Sequence, residues 1–132
     1  MDARLEALCT EFCRRFPQVK VRIDNQEARA LLFDGPPHIG AVSIVECSDG
    51  FIVTVGKLTH GHFDGSNPSG SSYPVAEQVI DFVDDLMNDR VIVWTAGRID
   101  GWQIRTLDAP PLPEHATTYL WSGPFRALEP KV

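Results

Sequence analysis

Apolar and polar residues alternate along the chain with two different periods, which predict two helices and a series of β-strands. Between residues 2 and 16, apolar side chains recur every three or four positions. This spacing predicts an amphipathic helix that Pro17 ends. The same periodicity returns over residues 75–89, directly after Pro74, which suits a first helical turn. We therefore expect a second helix there.

The other segments alternate with a period of two, and turn residues separate them. Asp49-Gly50 and Asp100-Gly101 each stand between two β-rich runs, and each predicts a two-residue hairpin turn. Gly56 interrupts the second of these runs, which indicates a bulge or the close approach of another group. Hairpins favour a mostly antiparallel sheet, of about six or seven strands, with both helices packed on one face. Residues 1–132 are thus predicted to form a single α+β domain.

Composition and charge narrow the classes of partner. The chain is 43% hydrophobic and 23% charged, as in soluble globular proteins, and its formal net charge is −6. An acidic chain is a poor match for nucleic acid, because phosphates are neutralised by lysine and arginine. No apolar run is long enough to span a bilayer, and the first residues lack the pattern of a secretion signal. We therefore expect a cytoplasmic protein with neither a nucleic-acid nor a membrane partner. Its three cysteines are expected to be free thiols.

The segment KLTHGHFDG contains the most distinctive candidate chemistry. His60 and His62 would point to the same side of an extended strand, and imidazoles with a carboxylate suit zinc. The segment resembles the His-x-His-x-Asp-His signature of the metallo-β-lactamase superfamily. That resemblance implies a metal-dependent hydrolase with His60 and His62 on one metal and Asp64 on a second. Gly65 stands where the signature has its last histidine, and only His115 follows downstream.

Other interpretations of this segment need no metal. Histidines at a strand end can hydrogen-bond to neighbouring carbonyl groups, and Asp64 with the glycine after it forms a turn signal before a Gly- and Ser-rich loop. The same residues could also form a contact surface on a rigid scaffold. Cys47 together with His60 or His62 gives a further alternative, a Cys-His nucleophile. We favour a structural or contact loop and expect neither a bound metal nor a cofactor.

A row of carboxylates marks the polar side of the second predicted helix. Its members follow one another mostly at four-residue spacing, and no lysine or arginine lies between Pro74 and the last of them. They are Glu77, Asp81, Asp84, Asp85 and Asp89. Like charges four residues apart each cost about 0.2–0.5 kcal/mol. The row is either a solvated face that arginines of the neighbouring sheet (Arg90, Arg98 or Arg105) reach, or a docking face for a basic protein partner.

Residues 41–97 combine a hairpin, the sequence THGHF at the end of its second strand, an acidic helix and the strand RVIVW. In this order they resemble small bacterial immunity proteins of polymorphic toxin systems. The resemblance implies a compact, acidic, non-enzymatic cytosolic protein that binds and blocks a toxin domain, often a basic nuclease. We therefore expect an immunity-type inhibitor. The alternatives are a metal-dependent hydrolase and an accessory domain that assembles with itself through an exposed sheet edge.

Overall fold

A computed structural model describes residues 4–24, 29–64, 75–106 and 108–124, which form two helices and nine strands. The first half contains α1 (Arg4–Arg15), β1 (Val21–Asp24), β2 (Ala30–Asp34), β3 (Ala41–Cys47), β4 (Gly50–Val55) and β5 (Thr59–Phe63). The second half contains α2 (Val75–Met87), β6 (Val91–Ala96), β7 (Ile99–Ile104), β8 (Thr117–Leu120) and β9 (Gly123–Pro124). The predicted α+β class is confirmed. The Gly- and Ser-rich loop expected after Asp64 lies at positions 65–74, outside the described residues.

The strands form two antiparallel sheets and not one continuous sheet. The first follows the chain in the order β1-β2-β3-β4-β5, and the second has the order β7-β6-β8-β9. The strand count is therefore somewhat higher than the six or seven that the pattern predicts. The division into two sheets has a simple cause, since α2 stands between β5 and β6 and ends the run of hairpin pairing.

Both helices pack on the inner face of the first sheet, as expected. α1 contacts β2, and α2 contacts β4, β5 and β6, so α2 also reaches the second sheet. The core includes seven buried side chains from this sheet face: Leu31, Phe33, Val42, Ile44, Phe51, Val53 and Val55. α2 ends at Met87, two residues before the predicted end, because Asp89 has a left-handed φ of 62°.

The first hairpin turns one residue earlier than its Asp-Gly pair predicts. Gly50 already belongs to β4, where it pairs with Cys47, so the two loop residues are Ser48 and Asp49. Neither of them has a positive φ, which excludes the expected type I′ turn. The reason for glycine here is steric. A Cβ atom on Gly50 would lie 1.9 Å from the carbonyl oxygen of Phe63, so β5 passes too close for any side chain.

The second hairpin also turns away from its Asp-Gly pair. Its loop residues are Gly97 and Arg98, and Gly97 supplies a positive φ of 63°. Gly101 instead lies within β7, where a Cβ atom would come within 2.5 Å of the Trp94 ring. Packing therefore outweighs the local turn preference at this position. At Gly56 the expected close approach is confirmed, because a Cβ atom there would lie 1.8 Å from the Ile39 carbonyl oxygen.

An aromatic cluster joins the two sheets where β5, α2 and β7 meet. The ring centroids of Phe63 and Phe82 are 5.2 Å apart, and those of Phe82 and Trp102 are 4.6 Å apart. At the other end of β5 from Phe63, the buried Thr59 hydroxyl donates a hydrogen bond of 2.8 Å to Asp100 Oδ1. We call these five residues the seam. Side-chain contacts of this kind hold the second sheet against the first.

Replacing the largest seam residue should weaken the whole fold. We expect Trp102→Ala to lower the free energy of unfolding by about 3 kcal/mol, because the cavity cannot be refilled without moving one sheet. Equilibrium urea unfolding measures this difference. Ile23→Ala is the control, since Ile23 is 46% exposed on β1 and its loss should change stability little. Equal losses in both variants would contradict the role of the seam.

Candidate functional site

The two histidines of the KLTHGHFDG segment lie side by side on β5. Both His60 and His62 are exposed, whereas Thr59 and Gly61 between and beside them are buried. The pair therefore faces outward on the side of the first sheet away from the helices. Asp64 follows the strand and is also exposed.

The predicted ligand set of His60, His62 and Asp64 is not the one that the fold brings together. Across the described ranges, one group of three metal-ligating side chains converges, and it consists of Cys47, Asp49 and His62. Their ligand atoms all lie within 4.8 Å of one another. His60 and Asp64, two of the ligands that the metallo-β-lactamase resemblance implies, are thus not in the converging group. His62 is in it, together with two residues of the neighbouring hairpin.

The three side chains of this cluster meet at the tip of the β3–β4 hairpin. His62 Nε2 lies 3.2 Å from Asp49 Oδ1 and 3.8 Å from Cys47 Sγ. The Cys47 thiol donates a hydrogen bond of 3.4 Å to the same Asp49 oxygen. The three donor and acceptor atoms therefore form a closed triangle. We call Cys47, Asp49 and His62 the hairpin-tip cluster.

Strand register explains how residues so far apart in sequence meet. Val45 pairs with Ile52, and Ile52 pairs with His62, so all three lie on the outward face. Cys47 lies two residues beyond Val45 and shares that face. Gly50 lies between Cys47 and β5 and has no side chain to keep them apart. The glycine that permits the close strand approach thus also permits the cluster.

Asp49 is held as a carboxylate by its neighbours. The hydrogen bond from the Cys47 thiol, followed by the one from His62, holds the pKa of Asp49 below its ordinary value. The lowered pKa means that the carboxyl group stays ionised to lower pH than an ordinary aspartate does. The sequence predicts only a turn at Asp49. Its closeness to Cys47 and His62 depends on the hairpin register, which the sequence does not show.

The geometry of the hairpin-tip cluster differs from that of a Cys-His-Asp catalytic triad. In a triad, one imidazole nitrogen faces the nucleophile and the other faces the carboxylate. Here His62 Nε2 faces both Cys47 Sγ and Asp49 Oδ1. The arrangement does not relay a proton across the ring from sulfur to carboxylate. It directs nitrogen, oxygen and sulfur atoms toward a common point.

The C-terminal half of the acidic row on α2 is engaged by other parts of the chain. Arg90 donates hydrogen bonds of 2.7 Å to both Asp85 and Asp84, and Arg15 lies 3.8 Å from Asp84. The pairing with Asp85 raises the pKa of Arg90. These contacts tie the end of α2 to the start of β6 and to α1. For Asp84 and Asp85 this agrees with the interpretation of the row as a solvated face that a nearby arginine reaches. Arg90 is that arginine.

Asp89 has a structural partner as well. It accepts a 3.0 Å hydrogen bond from the Ser122 amide and another from the Ser122 hydroxyl, which fixes the turn between β8 and β9. Glu77, at the N-terminal end of the row, differs from these three carboxylates. Glu77 is exposed, and within the part of the chain that the structure describes it takes part in no ion pair. Asp81, one turn further along α2, is partly exposed.

No family model, curated protein or solved structure matches the chain. The likeness of residues 41–97 to immunity proteins therefore remains a resemblance based on the order of elements and the motifs quoted above. Neither described helix has the length and apolar character needed to cross a lipid bilayer.

The Gly50 contact that positions β5 can be tested directly. We expect Gly50→Ala to lower the free energy of unfolding by about 1–3 kcal/mol, because the added methyl group overlaps the Phe63 carbonyl oxygen. Gly97→Ala is the matched control, since a Cβ atom there meets nothing within 4 Å and only the φ of 63° is strained. That strain costs about 1 kcal/mol. Urea unfolding of both variants should rank them in this order, and the reverse order would contradict the steric account.

Proposed function

We propose that the protein is a non-enzymatic binding protein that neutralises a basic protein partner, as an immunity-type inhibitor does with its toxin domain. The observation that carries the proposal is the N-terminal half of the α2 acidic row, where Glu77 is exposed and Asp81 is partly exposed. The proposed place of action is the cytoplasm. The proposed binding step requires no nucleic acid, membrane or cofactor.

Three carboxylates of the acidic row contribute to the stability of the chain itself. Asp84 and Asp85 are held by Arg90, and Asp89 is held by Ser122, so these three stabilise the chain itself. We take the N-terminal members of the row, the exposed Glu77 and the partly exposed Asp81, as the candidate docking set. We call this pair the α2 docking pair.

Charge and helix geometry support this assignment. Glu77 and Asp81 are four residues apart and project from the same side of α2. Glu77 lies in the first helical turn, where the positive end of the helix dipole favours a carboxylate. With a chain charge of −6, the pair can steer a lysine- or arginine-rich surface toward α2 and select it over neutral partners. Such binding should weaken as salt concentration rises.

Charge reversal of the α2 docking pair tests the proposal. The double variant Glu77→Lys/Asp81→Lys leaves the Arg90 ion pairs intact, so it should remain folded, and its thermal midpoint checks this. We expect its affinity for the partner to fall at least about tenfold, which corresponds to about 1.4 kcal/mol. The first partner to examine is a toxin-like domain encoded next to this chain, by growth rescue on co-expression and by calorimetry of the purified pair.

A control with the same change of charge separates the docking face from net charge. Asp108 and Glu114 are both exposed in the connector between β7 and β8, remote in sequence from α2. Asp108→Lys/Glu114→Lys should retain nearly wild-type affinity. An equal loss in this control would assign the effect to overall charge. A wild-type chain that neither rescues growth nor forms a complex would refute the inhibitor function.

A second candidate, self-assembly, is favoured by the edge strand β7. Two of its residues are large, apolar and exposed, with Ile99 at 58% and Ile104 at 44%. β7 pairs with β6 and lies at the edge of its sheet, so among the described strands it has no second pairing partner.

Sedimentation velocity over a range of protein concentrations tests self-assembly. We expect a concentration-dependent dimer that Ile99→Lys/Ile104→Lys converts to monomer, because lysine on an edge strand opposes strand pairing. Ile23→Lys, on the edge strand β1 of the first sheet, is the control and should leave the dimer unchanged. A wild-type chain that stays monomeric at all concentrations would remove this candidate.

A further inference from the structure

We propose that the hairpin-tip cluster of Cys47, Asp49 and His62 is a zinc site. The inference does not rest on the proposed binding function, because none of the three residues belongs to α2. Thiolate, carboxylate and imidazole are the three ligand types that zinc takes in proteins. In this chain one of each converges within 4.8 Å.

The spacing of the ligand atoms fits a tetrahedral zinc ion. With ordinary zinc–ligand bond lengths, nitrogen and oxygen ligands lie about 3.4 Å apart, and sulfur lies about 3.6 Å from either. The corresponding distances here are 3.2 Å for His62 to Asp49, 3.4 Å for Cys47 to Asp49 and 3.8 Å for Cys47 to His62. Each agrees with the tetrahedral value within about 0.2 Å, so a zinc ion needs little movement of the side chains.

The direction of the ligand atoms supports the same assignment. A single imidazole nitrogen, His62 Nε2, faces both the thiol and the carboxylate. A hydrogen-bonded pair needs only two of these groups, whereas a metal ion just above the plane of the triangle contacts all three. Cys47 ends β3, Asp49 is the second residue of the two-residue hairpin loop, and His62 is held by its pairing with Ile52. The framework that presents the ligands is therefore preformed.

The site has access to solvent and an open coordination position. The side chains of His62 and Asp49 are 48% and 61% exposed, so a zinc ion can enter without local unfolding. Three protein ligands leave the fourth tetrahedral position for water or for a donor atom from another molecule. His60 lies on the same face two residues away but is not a member of the converging group. It provides a matched control.

Zinc titration of the reduced, metal-stripped protein tests the proposal. We expect calorimetry with a competing chelator to give one zinc ion per chain. Each of Cys47→Ser, Asp49→Asn and His62→Ala should weaken binding at least about tenfold. Cobalt is the second probe, because a thiolate ligand adds a near-ultraviolet charge-transfer band that Cys47→Ser should abolish. Far-ultraviolet circular dichroism checks that each variant is folded, and Asp49→Asn preserves the side-chain shape.

Matched variants identify the ligands. His60→Ala and the double variant Cys9→Ser/Cys13→Ser should bind zinc as the wild type does. Several outcomes would overturn the proposal: the absence of stoichiometric zinc binding, unchanged affinity in the three ligand variants, or loss of binding in His60→Ala instead of His62→Ala. Binding of cobalt without the charge-transfer band would exclude Cys47 from the site and would equally overturn it.

Discussion

The packing of β5 against the second sheet is the constraint on which the other features depend. Among the described strands no pairing connects the two sheets, so side chains such as those of the seam hold them together. Phe63 contributes one ring of the seam and stacks near Trp102, with ring centroids 6.2 Å apart. Gly61 lets the Trp102 indole approach the strand, since a Cβ atom there would lie 3.0 Å from its nitrogen. Once Phe63 and Gly61 face inward, alternation leaves no choice for the residue between them, and His62 must face outward. The seam thereby places the histidine beside Cys47 and Asp49.

This dependence explains why inward-facing and exposed residues alternate along β5. Its inward positions satisfy the core and the seam, through the buried Thr59 hydroxyl and the Phe63 ring. Its outward positions carry the exposed histidines. The tip of the neighbouring hairpin can lie close to β5 because Gly50 has no side chain to collide with the Phe63 carbonyl group. A single short strand thus joins the two sheets with one face and completes the hairpin-tip cluster with the other.

Sequence reasoning predicts the parts of this structure that local periodicity determines. The apolar stripes predict both helices, and alternation predicts that His60 and His62 share a face. The Asp-Gly pairs predict the wrong turn positions because contacts with distant residues determine their conformation. Asp100 accepts a hydrogen bond from Thr59, and β5 passes close to Gly50. The identity of the residues beside His62 depends on register across three strands, which the turn position shifts. The pairing of Asp85 with Arg90 also depends on where α2 ends, and that end is set by the left-handed conformation of Asp89. The hairpin turns and the neighbours of His62 arise from tertiary contacts and leave no local sequence pattern. For the acidic row, the sequence indicates Arg90 only as one of three candidate arginines, and the fold selects it.

The two proposed sites lie on opposite sides of the first sheet. α2 packs on the face that carries the buried Phe51 and Val53, whereas His62 pairs with Ile52 and shares the other face. A partner held by the α2 docking pair therefore approaches from the side away from the hairpin-tip cluster. A zinc ion at that cluster changes the charge on the outward face and leaves the charge of α2 unchanged. Because α2 is the layer between the sheet and such a partner, substitutions at Cys47, Asp49 or His62 should affect docking only if they displace the sheet itself. The proposed inhibitor function and the proposed zinc site are therefore independent, and evidence against one does not count against the other.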